Sequence, residues 1–210
     1  MSVWDCLPPL DAQALERLRH YADRLMNAPF NLTAIKDLDG IVVRHFADSL
    51  ALLPLLPPGP VTLIDVGTGG GFPGLALKIA RPELQVTLLD ATRKKLTFLE
   101  GLAGELGLPV ATVHARAEEL SRGAAYTGAY DVATARAVAP LPELCALCLP
   151  FVKRGGRFFA MKGSHWADEL AAARDVLAQF NARWLPPYEY TLPLPDGGAR
   201  YAVCVAEVNA

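Results

Sequence analysis

The stretch "LIDVGTGGGFPGL", residues 63–75, joins an apolar run broken by one acid to four glycines within five positions, Gly67, Gly69, Gly70 and Gly71. Glycine loses more conformational freedom on folding than any other residue, so a cluster of this density implies left-handed backbone or the close approach of something to a bare main chain. The residues before it, "VTLIDV", read as a buried strand, and those after it, "PGLALKIA", as a helix. Outward from there the pattern repeats. "QVTLLD", "VATVHA", "YDVATARA" and "GRFFAMKG" are strand-like, alternating with the helical "RKKLTFLEGLAGELG" and "LPELCALCLPFV". Strict alternation of this kind predicts βαβ units around a buried, mostly parallel sheet, a doubly wound α/β fold. "DELAAARDVLAQFNA" adds one more helix, and "PYEYTLPL" with "RYAVCVAEV" reads as a closing hairpin.

Before the first strand the chain is helical. Leu10, Ala14, Leu15, Leu18, Ala22 and Leu25 fall at helical spacing, and "DLDGIVVRHFADSLALLPLL" forms a second segment that ends at Pro54, Pro57 and Pro58. Residues 1–58 are therefore expected to form a helical cap packed on a main domain of residues 59–210. At 210 residues and 52% hydrophobic content the chain has ample material for one core.

A formal net charge of −2 supplies no bulk attraction for nucleic acid, so any such role rests on local basic patches. No apolar run has the length of a membrane span without a charge or proline, and the N-terminus lacks a secretory pattern, so a soluble, cytoplasmic protein with no membrane partner is expected. The four cysteines are too scattered for a disulfide framework. Cys145 and Cys148 form a C-x-x-C on one face of an apolar helix, with no second pair and no histidine nearby, and read as small buried hydrophobes.

In sheets of this kind ligands bind beyond the carboxyl ends of the strands, where the loop after the first strand meets a helix N-terminus. Two ligand classes fit the glycine loop. Gly69-x-Gly71-x-x-Gly74 satisfies the dinucleotide pattern, and D-x-G-x-G-x-G from Asp65 suits S-adenosylmethionine. Asp65, two residues before Gly67, is placed to meet the ammonium group of a bound amino acid and would repel a pyrophosphate. Asp90 closes the second strand, 25 residues after Asp65, where an acid binds the two ribose hydroxyls of an adenosine in either reading. The plainer alternative for Asp90, aided by Thr92, is a helix N-cap.

Several segments now matter together. "NLTAI", "RHFADSL", "LIDVGTGGGFPGLALKIARPE", "LLDATRKKLTFLE", "HARAEEL", "ATARAVAPL" and "AMKG", with a weaker echo at "ARYAVCV", closely resemble in order the bacterial small-subunit ribosomal RNA methyltransferase G family, also called glucose-inhibited division protein B. The resemblance runs over about residues 27–163. It implies the class I S-adenosylmethionine-dependent methyltransferase fold and methyl transfer to N7 of one guanine in small-subunit (16S) ribosomal RNA. It also implies cofactor contacts at Gly67, Phe72, Asp90, Ala91, Thr92, Ala117, Glu118 and Arg136, to which the reading of the glycine loop itself adds Asp65, Gly69 and Gly71. Arg116, Arg136, Lys162 and Arg200 become candidates for positioning the RNA. The expected partner is the ribosomal RNA or the 30S particle, met by a monomer that binds neither DNA nor metal. From the residues alone a methyltransferase for a small molecule or protein, or an NAD-dependent oxidoreductase, also stands.

Guanine N7 carries a lone pair and no proton, so its methylation needs no general base, only alignment and electrostatics. No catalytic acid or base is therefore expected. His45, one helical turn before Asp48 in "RHFADSL", has two readings: a ligand or base, and, the favoured one, a contact with Asp48 that ties the cap to the main domain. Trp166 reads as a packed helix start, and the six tyrosines form no evident platform.

Overall fold

The computed structural model describes residues 2–136, 139–163, 166–194 and 200–210, with Arg200 described in its backbone only. An eight-stranded sheet has the order β3-β2-β1-β4-β5-β8-β6, with β7 also paired to β8. Its parallel part comprises β1 (Thr62–Val66), β2 (Gln85–Asp90), β3 (Ala111–His114), β4 (Tyr130–Arg136) and β5 (Val152–Lys162). β8 (Arg200–Val208) runs antiparallel to β5, and β6 (Ala182–Trp184) and β7 (Tyr188–Thr191) run antiparallel to β8.

Connections from β1 lead outward through β2 to β3, and β4 then begins on the other side of β1. The chain order thus reverses between β1 and β4. At such a point the connecting segments diverge to opposite sides and leave a crevice at the strands' carboxyl ends.

Helix α1 (Ala12–Met26) starts at Asp11, whose side chain accepts from the Ala14 N–H, and buries Leu18, Tyr21, Ala22 and Leu25. It packs against α4 (Gly74–Ala80), the helix that leaves the glycine loop. The second N-terminal segment comprises α2 (Leu38–Ile41), a π-helical stretch Val42–Ala47 and α3 (Asp48–Leu50). A π turn carries one extra residue per turn, re-aims the side chains around it and recurs at functional sites. Here it presents Arg44 and His45, and the start of α3 presents Asp48, to one cavity. One continuous apolar cluster joins α1 and the π-helical stretch to α4, α5 (Arg93–Glu105) and a face of the sheet. The other face is covered by α7 (Leu141–Cys148), α8 (Trp166–Ala172) and α9 (Arg174–Gln179). The short α6 (Ala117–Leu120) follows β3.

The C-terminal third departs from the sequence pattern. The helix expected over residues 168–182 is two helices divided at Ala173, followed by a turn at Asn181, whose φ is 49°. Residues 182–184 then form β6, because β8 has an edge beyond β5 whose main-chain groups remain to be paired. Cys145 and Cys148 are fully buried, and among the described residues no cluster of potential ligands could hold a metal. No helix among those residues is long and apolar enough to cross a membrane.

Candidate functional site

Two cavities open at the carboxyl edge of the parallel strands, one on each side of the order reversal. The smaller, about 190 Å³, lies over β1 and β2. Gly67, Asp90 and Ala91 form its floor, while Arg116, Ala117 and Glu118 come from the β3–α6 connection. Val66, Leu89 and Leu147 supply apolar wall. A slot with apolar walls and a carboxylate at a strand end suits a nucleoside: the base is flat and apolar on its faces, and a carboxylate only accepts hydrogen bonds.

The glycine loop is held by two acids. Asp90 accepts from the Gly69 N–H at 3.0 Å through Oδ2 and from the Thr92 N–H at 2.8 Å through Oδ1, with the Lys95 ammonium 3.6 Å away. Thr92, not Asp90, occupies the N-cap position of α5. Each carboxylate oxygen has a second lone pair, so both remain able to accept from a ligand hydroxyl. Gly67, Gly69 and Gly71 all have positive φ, at 70°, 58° and 100°. At Gly69 a Cβ would meet nothing nearer than 3.9 Å, so this backbone borders open space, as a loop that a ligand covers must.

Asp65 has a different task from the one its position in the motif suggests. It is fully buried, and its Oδ2 accepts from Thr68 Oγ1 at 2.6 Å and from the Gly74 N–H at 2.9 Å, while Oδ1 accepts from Thr134 Oγ1 at 3.1 Å. Burial pushes its carboxyl above the usual range, and these donors with the charge of Arg136 pull it back. It shapes the loop from beneath and borders neither cavity. The sequence signal was correct for the loop, but a period-2 strand pattern does not say which face an acid takes once both faces are covered.

The larger cavity, about 260 Å³, lies over the ends of β4 and β5. Arg136 is among the residues that line it. Its Nη1 donates to the Arg44 carbonyl and to Asp48 Oδ2, both at 3.0 Å, and its Nη2 donates to His45 Nδ1 at 3.0 Å. The guanidinium carbon lies 4.9 Å from the centre of the Phe72 ring, which stacks on His45 at 4.5 Å and on Tyr21 at 5.2 Å. Arg136 therefore binds the π-helical stretch to the sheet. The expected His45–Asp48 contact is replaced by a shared partner: both side chains accept from Arg136. Phe72 is buried within the same stack and is not exposed to the smaller cavity.

Since a guanidinium can only donate, Nδ1 of His45 must be the acceptor, and its Nε2–H donates to Thr33 Oγ1 at 2.6 Å. The imidazole is thus neutral, with its pKa lowered to about 3 by burial first and by Arg136 second. An unfolded histidine titrates near 6.5, at about 1.4 kcal/mol per pH unit of difference. Below that value the unfolded chain binds more protons than the folded one. The stability that neutral His45 contributes is therefore complete above about pH 6.5 and is lost as pH falls from there towards about 3. Denaturant unfolding across this window is expected to show a shallower acid loss for His45→Gln than for the parent; parallel curves would refute the assignment.

Lys162, at the end of β5, donates to the Ala139 carbonyl at 3.2 Å and pairs with Glu169 at 2.8 Å, and it borders the larger cavity. Arg116 borders the smaller one instead, which separates two residues that the sequence reading grouped. The Arg200 side chain lies outside the described residues. Tyr190 and Tyr201 also border the larger cavity and were not anticipated, because they come together only through pairing of β7 with β8.

A family profile described as rRNA small subunit methyltransferase G matches residues 14–183. Proteins named ribosomal RNA small subunit methyltransferase G include one from Acetivibrio thermocellus, 43% identical over 190 residues, covering 89% of this chain and 78% of that protein. One from Roseiflexus is 44% identical over 187 residues, covering 88% and 80%. Among solved structures, the branched-chain polyamine synthase of Thermus thermophilus, in complex with N4-aminopropylspermidine and 5′-methylthioadenosine, aligns with a TM-score of 0.67 at 16% identity. That alignment covers 95% of this chain and 64% of the synthase, just under two thirds of its length. Precorrin-6y C5,15-methyltransferase from Geobacter metallireducens aligns at 0.55 and 15% identity, covering 76% of this chain and 85% of that one. At such identities these structures are similar in fold alone.

Proposed function

The chain belongs to the rRNA small subunit methyltransferase G family, and from that premise we propose that it methylates N7 of a guanine in small-subunit ribosomal RNA. The methyl donor is S-adenosylmethionine, which when bound supplies an electrophilic methyl on a sulfonium centre. The single observation that carries the reading is the pair of cavities flanking the β1–β4 reversal, one suited to a nucleoside and the other lined by cations and a carboxylate.

The residues present fit the cofactor. The Asp90 carboxylate would take the ribose hydroxyls, and Ala91, Thr92, Ala117 and Glu118 would edge the adenine. The backbone of Gly67 and Gly69 would allow the rest of the molecule to lie close. Asp65 and Gly71 serve this site indirectly, by shaping the loop. Phe72 and Arg136 do so by fixing the wall between the two cavities. Lys162, and Arg116 at the border of the smaller cavity, are assigned to the RNA, where a cation can hold guanine O6 or a phosphate. Arg200 completes that assignment through the family resemblance.

A base acting through an unprotonated nitrogen needs no proton removed, and the buried His45, held neutral with both nitrogens engaged, is not available as a base. Catalysis then rests on holding two reactants in line. We further assign the protein to the cytoplasm, as a monomer acting on RNA or on the 30S particle.

The deciding experiment is tritiated methyl transfer from S-adenosylmethionine to 30S subunits of a strain lacking this protein, followed by nucleoside analysis. Label in 7-methylguanosine is expected; label in another nucleoside, or none on subunits or partial assemblies, overturns the reading. Asp90→Ala is expected to weaken cofactor binding by about 2–3 kcal/mol through loss of two ribose hydrogen bonds. Calorimetry checks this, with Asp90→Asn as the companion that keeps one acceptor oxygen. Unchanged affinity in the alanine variant would remove Asp90 from the ribose.

A further inference from the structure

The larger cavity has one wall that none of the chemistry above uses. Tyr188 and Tyr190 are alternate residues of β7 and share a face, and Tyr190 pairs directly across the ladder with Tyr201 of β8. Their rings form a short stack, with centroids 6.2 Å and 5.8 Å apart and planes inclined by 20° and 25°. The Tyr190 hydroxyl donates to Asp48 Oδ1 at 2.5 Å, which fixes the middle ring against the start of α3. Tyr201 ends the stack. It is half-buried, borders the cavity, and its hydroxyl has no partner among the described residues.

Resting on the methyl-transfer reading, we propose that this cavity seats the acceptor guanine, turned out of the RNA stack, against the Tyr201 ring and with its Watson–Crick edge towards Asp48. Enzymes that modify a base commonly extrude it into a pocket, reading its edge by hydrogen bonds and its face by stacking. The volume, about 260 Å³, equals that of roughly nine liquid waters at about 30 Å³ each, which is the scale of one bicyclic base.

The chemistry of the lining favours guanine. Asp48 Oδ1 and Oδ2 each accept one protein hydrogen bond and keep a lone pair. A carboxylate complements the adjacent N1–H and N2–H donors of guanine and opposes the N1 lone pair of adenine. Arg44 is exposed at the same cavity, its guanidinium without a partner among the described residues, and suits the phosphate of the extruded nucleotide. Because this cavity lies over β4 and β5 while the nucleoside slot lies over β1 and β2, base and methyl donor meet across the β1–β4 crevice.

The test compares Tyr201→Ala, Tyr201→Leu and Tyr201→Phe in methyl transfer to 30S subunits, with cofactor affinity by calorimetry and thermal unfolding measured alongside. The leucine variant fills the space without a π face, so the comparison survives if alanine unfolds the hairpin. Base–aromatic stacking predicts that kcat/KM falls about 10-fold to 100-fold in the alanine and leucine variants, at unchanged cofactor affinity and unfolding temperature. Tyr201→Phe, which keeps the ring, is expected to recover most of the transfer. Wild-type transfer by Tyr201→Leu, or Tyr201→Phe no better than Tyr201→Leu, overturns the proposal while leaving the methyl-transfer reading intact. So does a loss of cofactor affinity that matches the loss of transfer, because the wall would then belong to the cofactor. If the unaltered protein places its label in a nucleoside other than 7-methylguanosine, the reading of function fails first and the guanine seat with it.

Discussion

Gly71→Ala is expected to destabilise the protein by roughly 2–5 kcal/mol, a large share of the stability of an ordinary domain. Two costs add. The backbone at Gly71 has φ 100°, which a residue with a Cβ adopts only under strain. The added carbon would also collide with the Tyr21 hydroxyl and lie 2.8 Å from Leu99 Cδ2 and 3.3 Å from Leu75 Cβ. None of these can retreat easily. Tyr21 is fully buried, donates to the Gly70 carbonyl and stacks on Phe72 with an interplanar angle of 7°, while Leu75 and Leu99 are fully buried core. Gly69→Ala is the informative control, since φ there is 58° but the nearest atom to a Cβ is 3.9 Å away. It carries the backbone cost alone, about 1–2 kcal/mol. Urea unfolding of the two variants separates the effects, and equal midpoints would show that the contact with Tyr21 is without consequence. Because Tyr21 belongs to α1, the same collision is expected to disturb the packing of the N-terminal helices on the glycine loop.

Arg136→Ala is expected to cost about 3–5 kcal/mol in stability and to abolish methyl transfer. Asp48 and Arg136 are both largely buried, with side-chain exposures of 9% and 16%, and removing one partner of such a pair strands the other. Asp48 would keep only the Tyr190 hydroxyl, and His45 Nδ1 would lose its donor. Arg136→Lys is expected to recover little, because a single ammonium cannot reach the Arg44 carbonyl, Asp48 and His45 in the planar fork that the guanidinium provides. A double-mutant cycle with Asp48→Asn measures the pairing directly, and a coupling near zero would contradict the arrangement. In the alanine variant His45 also loses the positive charge that helps hold its pKa down, so its acid-dependent loss of stability is expected to shrink.

Much of this site is legible in the chain before any coordinates are considered. The glycine loop, the acid ending β2 and the alternation of strands and helices are local signals: each depends on residues within one turn or one strand, and chain order then places them along one edge of the sheet. The same locality marks Cys145 and Cys148 as core, since two small apolar residues three apart on an apolar helix have nowhere else to go.

Other features depend on which segments meet. Asp65 belongs to a recognisable motif, yet whether it faces a ligand or the interior was decided by Thr134 of the neighbouring strand and by the N–H of Gly74. His45 and Asp48 are close in sequence, but what orders them is an arginine 91 and 88 residues away. Tyr190 and Tyr201 carry no local signal of a shared wall, because it exists only once β7 has registered on β8. The helix expected over residues 168–182 yielded its end to β6 for a similar reason, the unpaired edge of β8. By itself the sequence determined the fold class, the glycine loop and the acid at the end of β2, through periodicity and backbone constraint. The tertiary structure alone decided which cavity each charged side chain borders and what encloses the larger one, because those contacts join residues far apart in the chain and no local preference encodes them.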